Sequence, residues 1–264
     1  MKTNSIGFIG GGRITKIFLQ AFANKEINLE SVLVFDTNAE VCASLKIKFP
    51  EIKITQTLEQ IAKQAIVFIA LHPPIIMETV EKISNVVSND TSVISLAPKI
   101  TIEKIASKLK TTNIARMIPN ATSFINKGYN PVCFSSKFSV QKRQSLTAMF
   151  KLLGETIEVT ENKLEAYAII SAMLPTYFWF QWEEIKNIGM QMGLSKTESN
   201  HAIRETLLAA IMLFYDSKLP VEEVIDLIPV KPIGENEKQI SEIYQSKLLS
   251  LFEKIKPLDN NRKE

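Results

Sequence analysis

Ile6-Gly7-Phe8-Ile9-Gly10-Gly11-Gly12-Arg13-Ile14-Thr15 is the stretch that decides the fold. A short apolar run enters three glycines and leaves into a segment with helical spacing, Ile14 to Ala23. Glycine at position 10 permits a tight turn out of a strand, and Gly12 lets an anion approach the backbone amides where the helix begins. Strand, glycine turn and helix in that order are the context in which such a string cradles a dinucleotide diphosphate, with Arg13 and Ile14 at the first helical amides. The bland alternative is a turn that only reverses the chain. The third small position is Thr15, where glycine or alanine is more usual, so a looser helix-to-strand contact is expected there.

Working outward, the next strand signal ends at Asp36, at the distance where an acidic side chain accepts hydrogen bonds from both ribose hydroxyls. Its charge repels a 2′-phosphate, and Thr37-Asn38 supplies no arginine to offset that, so NAD is favoured over NADP. Further β-branched runs centre on residues 65–71, 91–96, 113–117, 130–134 and 156–159, separated by amphipathic stretches. Seven strands with crossovers predict a doubly wound parallel sheet, and fully apolar runs such as Ile66 to Leu71 fit strands covered on both faces.

After residue 160 the period changes, and apolar residues recur at helical spacing over 163–174, 176–192, 196–217, 221–227 and 236–255. Pro175 separates the first two, Gly193 suits a C-terminal cap, Ser195 or Thr197 an N-terminal one, and Pro220 a first turn. Leu207 to Phe214 is apolar almost all round, which predicts burial on most sides and a second subunit as the natural cover. The expected division is residues 1–160 and 161–264, with a polar tail over Pro257–Glu264.

Composition excludes several classes. The 264 residues are 45% apolar and 22% charged, ordinary for a folded chain that buries a core. No apolar run reaches the length of a membrane span, and the start MKTNSIGFIGGG reads as a cytoplasmic one. The net charge of +3 is scattered, so nucleic acid is not expected as a partner. Cys42 and Cys133 lack metal-ligand spacing and read as reduced core residues, and no metal site is expected.

Three later strings, together with the glycine turn, make the sequence resemble the pyrroline-5-carboxylate reductase family. Ala70-Leu71-His72-Pro73 stands where that family has Ala-Val-Lys-Pro. Ser95-Leu96-Ala97-Pro98-Lys99-Ile100-Thr101 is similar to its Ser-Ile-Ala-Ala-Gly-Val-Thr, and Arg116-Met117-Ile118-Pro119-Asn120 to its Arg-x-Met-Pro-Asn. The resemblance implies a Rossmann-like domain followed by an all-α C-terminal dimerisation domain, hence a homodimer. It also implies a reductase that uses NAD(P)H to convert a small cyclic imine to proline. Ala70, Leu71, His72, Pro73, Pro119 and Asn120 would then flank the nicotinamide. Met173, Pro175, Thr176 and Tyr177, within the counterpart of the family's Ser-Gly-Ser-Gly-Pro-Ala-Tyr, would meet the substrate, which would enter between that helix start and the cofactor cleft. The match is weakest here, because both glycines and the second serine are replaced. At Lys231-Pro232-Ile233-Gly234-Glu235-Asn236 the family's carboxylate-binding threonines have become Glu235 and Asn236, which implies an altered pocket.

Hydride transfer to a protonated imine needs orientation more than protein acids or bases, and no Ser-His-Asp set is visible; no catalytic side chain is assigned. His72 reads as a loop histidine or a cofactor donor, His201 as surface, and Thr57 as an exposed threonine or a ribose neighbour. Arg116 reads as a strand-end ion pair shaping the Pro119-Asn120 turn, or as an anion ligand; Lys99, in place of the family's glycine, is expected either to crowd or to recharge the nicotinamide pocket. The aromatic set Tyr177 to Trp182 reads as packing, and Glu183 and Glu184 as solvated. Three alternatives stand beside the reductase. They are a nucleotide-binding protein with impaired catalysis, a β-hydroxyacid dehydrogenase-like enzyme using Lys163, and a structural helical dimer with a vestigial turn.

Overall fold

The computed structural model describes residues 5–257. The expected tail therefore lies, beyond Pro257, outside the described residues, as do the first four residues of the chain. Eight strands among the described residues form one sheet in the order β3-β2-β1-β4-β5-β6-β7-β8. These are β1 (Ile6–Ile9), β2 (Val32–Phe35), β3 (Lys53–Ile54), β4 (Ile66–Ile69), β5 (Ser92–Ser95), β6 (Ile114–Met117), β7 (Gly128–Phe134) and β8 (Gly154–Glu158). Helices α1 (Arg13–Ala23), α2 (Ala39–Lys48), α3 (Leu58–Ala62), α4 (Pro73–Ile83) and α5 (Ile102–Ala106) make the crossovers, and α6 (Val140–Phe150) leads into β8.

Period-two alternation in strands that are apolar on both faces produces the doubly wound arrangement. Ile6 and Phe8 of β1 and Ile66 and Phe68 of β4 belong to one core cluster with Phe18, Leu19 and Phe22 of α1. Ile9, Val67 and Ile69 belong to the other, with Ile76, Val80 and Ile83 of α4. Phe8 and Phe68 stack at 4.8 Å between ring centroids, and Phe18 meets both edge-on. Two features differ from the sequence expectation. A further strand, β3, pairs with β2; it is two residues long and one of them is the charged Lys53, so it does not register as an apolar run. Strand β7 runs antiparallel to β6. The connection between them contains only the 3-10 turn Ala121–Ile125, and parallel pairing needs a crossover of a dozen residues or more.

By compactness the chain forms two units, one running through Ala172 and including the segment from Leu251, the other Met173–Ser250. Strand β8 ends where the sequence changes period, but the first unit continues through α7 (Leu164–Tyr167) and the π-helical turn Ala168–Ala172, whose Leu164 and Ala168 join the sheet's core. The second unit contains α8 (Leu174–Gln191), α9 (Lys196–Asp216), α10 (Val221–Asp226) and the start of α11 (Glu237–Ile255). Gly193, at φ +100°, follows α8, and Ser195 caps α9 in a capping box with Glu198. Pro175 sits in the first turn of α8, where its missing N–H is harmless, so it opens that helix and does not end the previous one.

The expectation that Leu207 to Phe214 is buried is corrected. Ile211 is 54% and Met212 62% exposed, and Ser199 is the one buried residue among those described in the second unit. The apolar pattern is therefore real, but this chain alone does not cover it. Among the described residues no helix is long and apolar enough to cross a membrane.

Both cysteines are free and buried. Burial, reinforced by Glu161, pushes the Cys133 thiol up to about 11, and burial also raises that of Cys42. Since the thiolate is the reactive form, iodoacetamide at pH 8 should leave both unlabelled in the native protein and alkylate both after urea denaturation. Native labelling of Cys133 at the rate of a free thiol would contradict the packing described.

Candidate functional site

The sheet order reverses at β1, whose neighbours β2 and β4 carry the chain away in opposite directions. Crevices form at the carboxyl ends of strands at such points. The turn out of β1 is built for close approach. Gly10 has φ +101°, and a Cβ there would lie 2.4 Å from the Ala70 carbonyl oxygen at the end of β4. Its N–H donates to the Phe35 carbonyl at 2.7 Å, so the turn is tied to the ends of both neighbouring strands. Thr15 is fully buried, and its hydroxyl donates to the Gly10 carbonyl at 2.5 Å. The looser contact expected at Thr15 is thus corrected: the hydroxyl stitches the helix to the turn where a glycine would only have left room.

Gly12 opens α1 with no side-chain cap, and a Cβ there would meet nothing within 4 Å. Among the described residues no acceptor meets the Arg13 and Ile14 N–H groups, which suits an anion at the positive end of a helix. Arg13 is exposed, and its guanidinium has no hydrogen bond or ion pair among the described residues. Asp36, half-buried at the end of β2, holds the far side of the turn. One carboxylate oxygen accepts the Gly11 N–H at 2.7 Å and the other the Asn38 N–H at 2.8 Å. Each oxygen keeps a second lone pair for a ligand hydroxyl. Asn38 caps α2 in turn.

Ala70 and Leu71 follow β4, and His72 is the exposed residue that precedes Pro73 at the start of α4. Pro73 and Pro74 lack N–H groups, so this helix start offers fewer donors than α1. Pro119 and Asn120 are buried beyond β6. The Asn120 amide nitrogen donates to the Ser171 carbonyl at 3.1 Å and its hydroxyl at 3.3 Å, while its oxygen accepts from the Thr122 N–H and hydroxyl. Asn120 thus anchors the π-turn to the loop after β6. Met173, Pro175, Thr176 and Tyr177 open α8 in the second unit. The Thr176 hydroxyl donates to the Met173 carbonyl at 2.6 Å, and Tyr177 meets Tyr244 edge-on.

Arg116 is wholly buried on β6, paired with Glu165 at 2.5 Å and Glu161 at 2.9 Å. It is an ion pair, as one of the two readings had it, but it shapes a different loop. Glu165 also accepts the Lys99 N–H at 2.9 Å, and Glu161 the Ile102 N–H at 2.7 Å, so the pair pins the loop between β5 and α5. Neither glutamate was singled out from sequence. The available signal was Glu165 set among Leu164, Ala166, Ala168 and Ile169, one turn after Glu161. His201, Thr57, Lys163, Glu183 and Glu184 are all exposed. Among the described residues no group of His, Cys, Asp or Glu is arranged to hold a metal.

Residues 5–99 match the family model described as NADP oxidoreductase, coenzyme F420-dependent. A pyrroline-5-carboxylate reductase of Staphylococcus saprophyticus is 24% identical over 250 residues, 93% of this chain and 92% of that protein. Among solved structures, the pyrroline carboxylate reductase of Plasmodium falciparum, with NADP bound, has a TM-score of 0.79 at 19% identity over 97% of this chain and 96% of that one. The 1-pyrroline-5-carboxylate reductase of Streptococcus pyogenes has a TM-score of 0.79 at 17% identity, covering 96% and 98%. The chain therefore resembles these reductases along nearly its whole length, and its fold is the Rossmann-like sheet with a helical C-terminal region.

Removing Glu165 leaves the buried Arg116 with only the partly exposed Glu161 and strips its second charged hydrogen bond, so Glu165→Ala should lower stability by about 1.5–3 kcal/mol. Urea denaturation checks this, and a loss below about 1 kcal/mol would mean that water reaches Arg116. Gly10→Ala should destabilise by more than about 1 kcal/mol, because both its φ and its Cβ conflict with the turn.

Proposed function

We propose that this protein is a divergent NAD(P)H-dependent reductase of the pyrroline-5-carboxylate reductase type, acting on a small cyclic imine or a related C=N or C=O compound. The observation that carries the reading is the uncapped start of α1 beneath an unobstructed Gly12, bounded by Asp36. These residues fit a dinucleotide: the amides of Arg13 and Ile14 for the diphosphate, Asp36 for the adenosine ribose, and Ala70, Leu71, His72, Pro73, Pro119 and Asn120 as the walls of the other half. The bound nucleotide supplies the hydride. The protein's contribution is orientation and exclusion of water, for which the rigid turn and the pinned loop after β5 are suited.

The relatives' names support a carbon–nitrogen double bond as the acceptor, and Met173, Pro175, Thr176 and Tyr177 are the residues assigned to substrate. The free lone pairs of Asp36 favour NAD over NADP, since a 2′-phosphate would stand against its charge. In this reading the sheet unit, which runs through Ala172, is the nucleotide domain, and the helical unit Met173–Ser250 serves substrate and dimerisation. The helical region pairs with a second copy, which would cover Ile211, Met212 and the aromatic residues Trp179 and Phe180. A cytoplasmic location accords with free cysteines and the absence of a spanning helix among the described residues. The second reading, a nucleotide-binding protein without turnover, draws on the exposed Glu235 in the string where the family offers hydroxyls to a carboxylate.

Calorimetric titration should show binding of NADH, with NADPH weaker by about tenfold, and Asp36→Ser should narrow that gap. Gly12→Asp should abolish binding of both without lowering the unfolding midpoint, because its side chain enters open space. Wild-type protein that binds neither nucleotide at millimolar concentration would remove the reductase reading. Binding without oxidation across a panel of cyclic imines and 2-oxo acids would favour the second. Sedimentation velocity should give twice the monomer mass; a monomer at micromolar concentration would exclude pairing through the helices.

A further inference from the structure

Lys99 is one of three non-glycine residues with positive φ among those described, at +77°, in the loop between β5 and α5. Its side chain is exposed, whereas its N–H donates to Glu165 at 2.9 Å. What the fold specifies at this position is a backbone direction and not a side chain. Left-handed backbone is uncomfortable for lysine and persists only where the surroundings enforce it. The enforcement comes from one carboxylate oxygen. Oε1 of the wholly buried Glu165 accepts both the Lys99 N–H and, at 2.5 Å, the guanidinium of the equally buried Arg116. Glu161 accepts from another nitrogen of that guanidinium at 2.9 Å and from the Ile102 N–H at 2.7 Å, so the loop is held at its middle and at its end.

The start of the loop is tied to the crevice. It leaves the carboxyl end of β5, and the Leu96 N–H donates to the Ile69 carbonyl at 3.0 Å, beside the segment Ala70 to Pro73 that follows β4. Past Leu96, the two glutamates anchor its main chain from outside. With Gly12 and Asp36 holding one nucleotide half over β1 and β2, the other half falls over β4 and β5. The direction of this loop's backbone is then a boundary of the space that the second half fills.

We propose that Glu165 is a positioning residue for the nicotinamide half of the cofactor, acting through the Lys99 N–H to set the main chain against which that half rests. The proposal rests on the reductase reading and deepens it. Arg116 orients the carboxylate, Glu161 steadies the far end of the loop, and Glu165, having no exposed surface, touches neither nucleotide nor substrate.

Calorimetric titration with NADH and with ADP-ribose, which lacks the nicotinamide, separates the two halves. Glu165→Met removes the acceptor at similar length; it should lower the ratio of NADH to ADP-ribose affinity about tenfold and leave ADP-ribose affinity within about twofold of wild type. Glu165→Gln loses the charge but keeps an oxygen for the Lys99 N–H, and should hold the ratio within about twofold. Glycine adopts left-handed backbone unaided, so in a Lys99→Gly background Glu165→Met should lower the ratio by less than about threefold. If Glu165→Met does not fold, the pair Arg116→Met and Glu165→Met takes its place, because apolar side chains commonly substitute for a whole buried ion pair. An unchanged ratio after Glu165→Met, or an equal loss after Glu165→Gln, would overturn the proposal and leave the reductase reading standing. So would a matching loss of ADP-ribose affinity, or no relief from Lys99→Gly. Wild type that binds neither ligand would remove both.

Discussion

Most of the site follows from one close approach, the passage of the Gly10 backbone against the Ala70 carbonyl oxygen. There is no room for a side chain between the first and fourth strands at that point, so the chain must cross it as glycine. The crossing then sets the direction in which α1 departs. Thr15 locks that direction with its hydroxyl, and Asp36 holds the middle glycine from the other side. Three short contacts, two from strand ends and one from the first turn of α1, thus fix a loop that would otherwise be the most adaptable part of the sheet. What they leave open, above Gly12, is defined as sharply as what they close.

A second constraint lies across the crevice. The buried Arg116 sits on the same face of β6 as the apolar cluster beneath α4 and α5, and two glutamates from the end of the sheet unit come to meet it. Buried charge seldom adds net stability compared with an apolar core, but it imposes geometry, since each partner has few acceptable positions. Here the geometry is passed on to main-chain amides of a loop at the strand ends. The Asn120 to Ser171 contact does the same for the neighbouring loop using neutral groups, so both walls of the crevice are hung from the segment 161–171.

The sequence was most readable where local and global signals agree. Phe8, Phe68 and Val67 announce strands apolar on both faces, and the glycine string announces its own turn. Strand β3 escapes because two residues, one of them charged, carry no periodicity, and the antiparallel β7 because direction depends on the length of a connection and not on the strand itself. Among site residues, Gly10, Gly12 and Asp36 declare themselves by type and spacing. Glu161 and Glu165 do not, since a carboxylate's partner lies 45 or 49 residues away in the chain and only folding brings the two together. Leu207 to Phe214 was legible as apolar, but its exposure in this chain was not, because periodicity marks a face without marking what packs on it.

That uncovered surface has a thermodynamic consequence. Ser199 is the one fully buried residue described in the helical unit, and if its exposed apolar face pairs with a second copy as proposed, its melting would obey the law of mass action. Dilution would loosen the helices first and leave the sheet, with two cores of its own, standing. The two parts of one polypeptide would then differ in molecularity: one melts as an individual, the other as a member of a population.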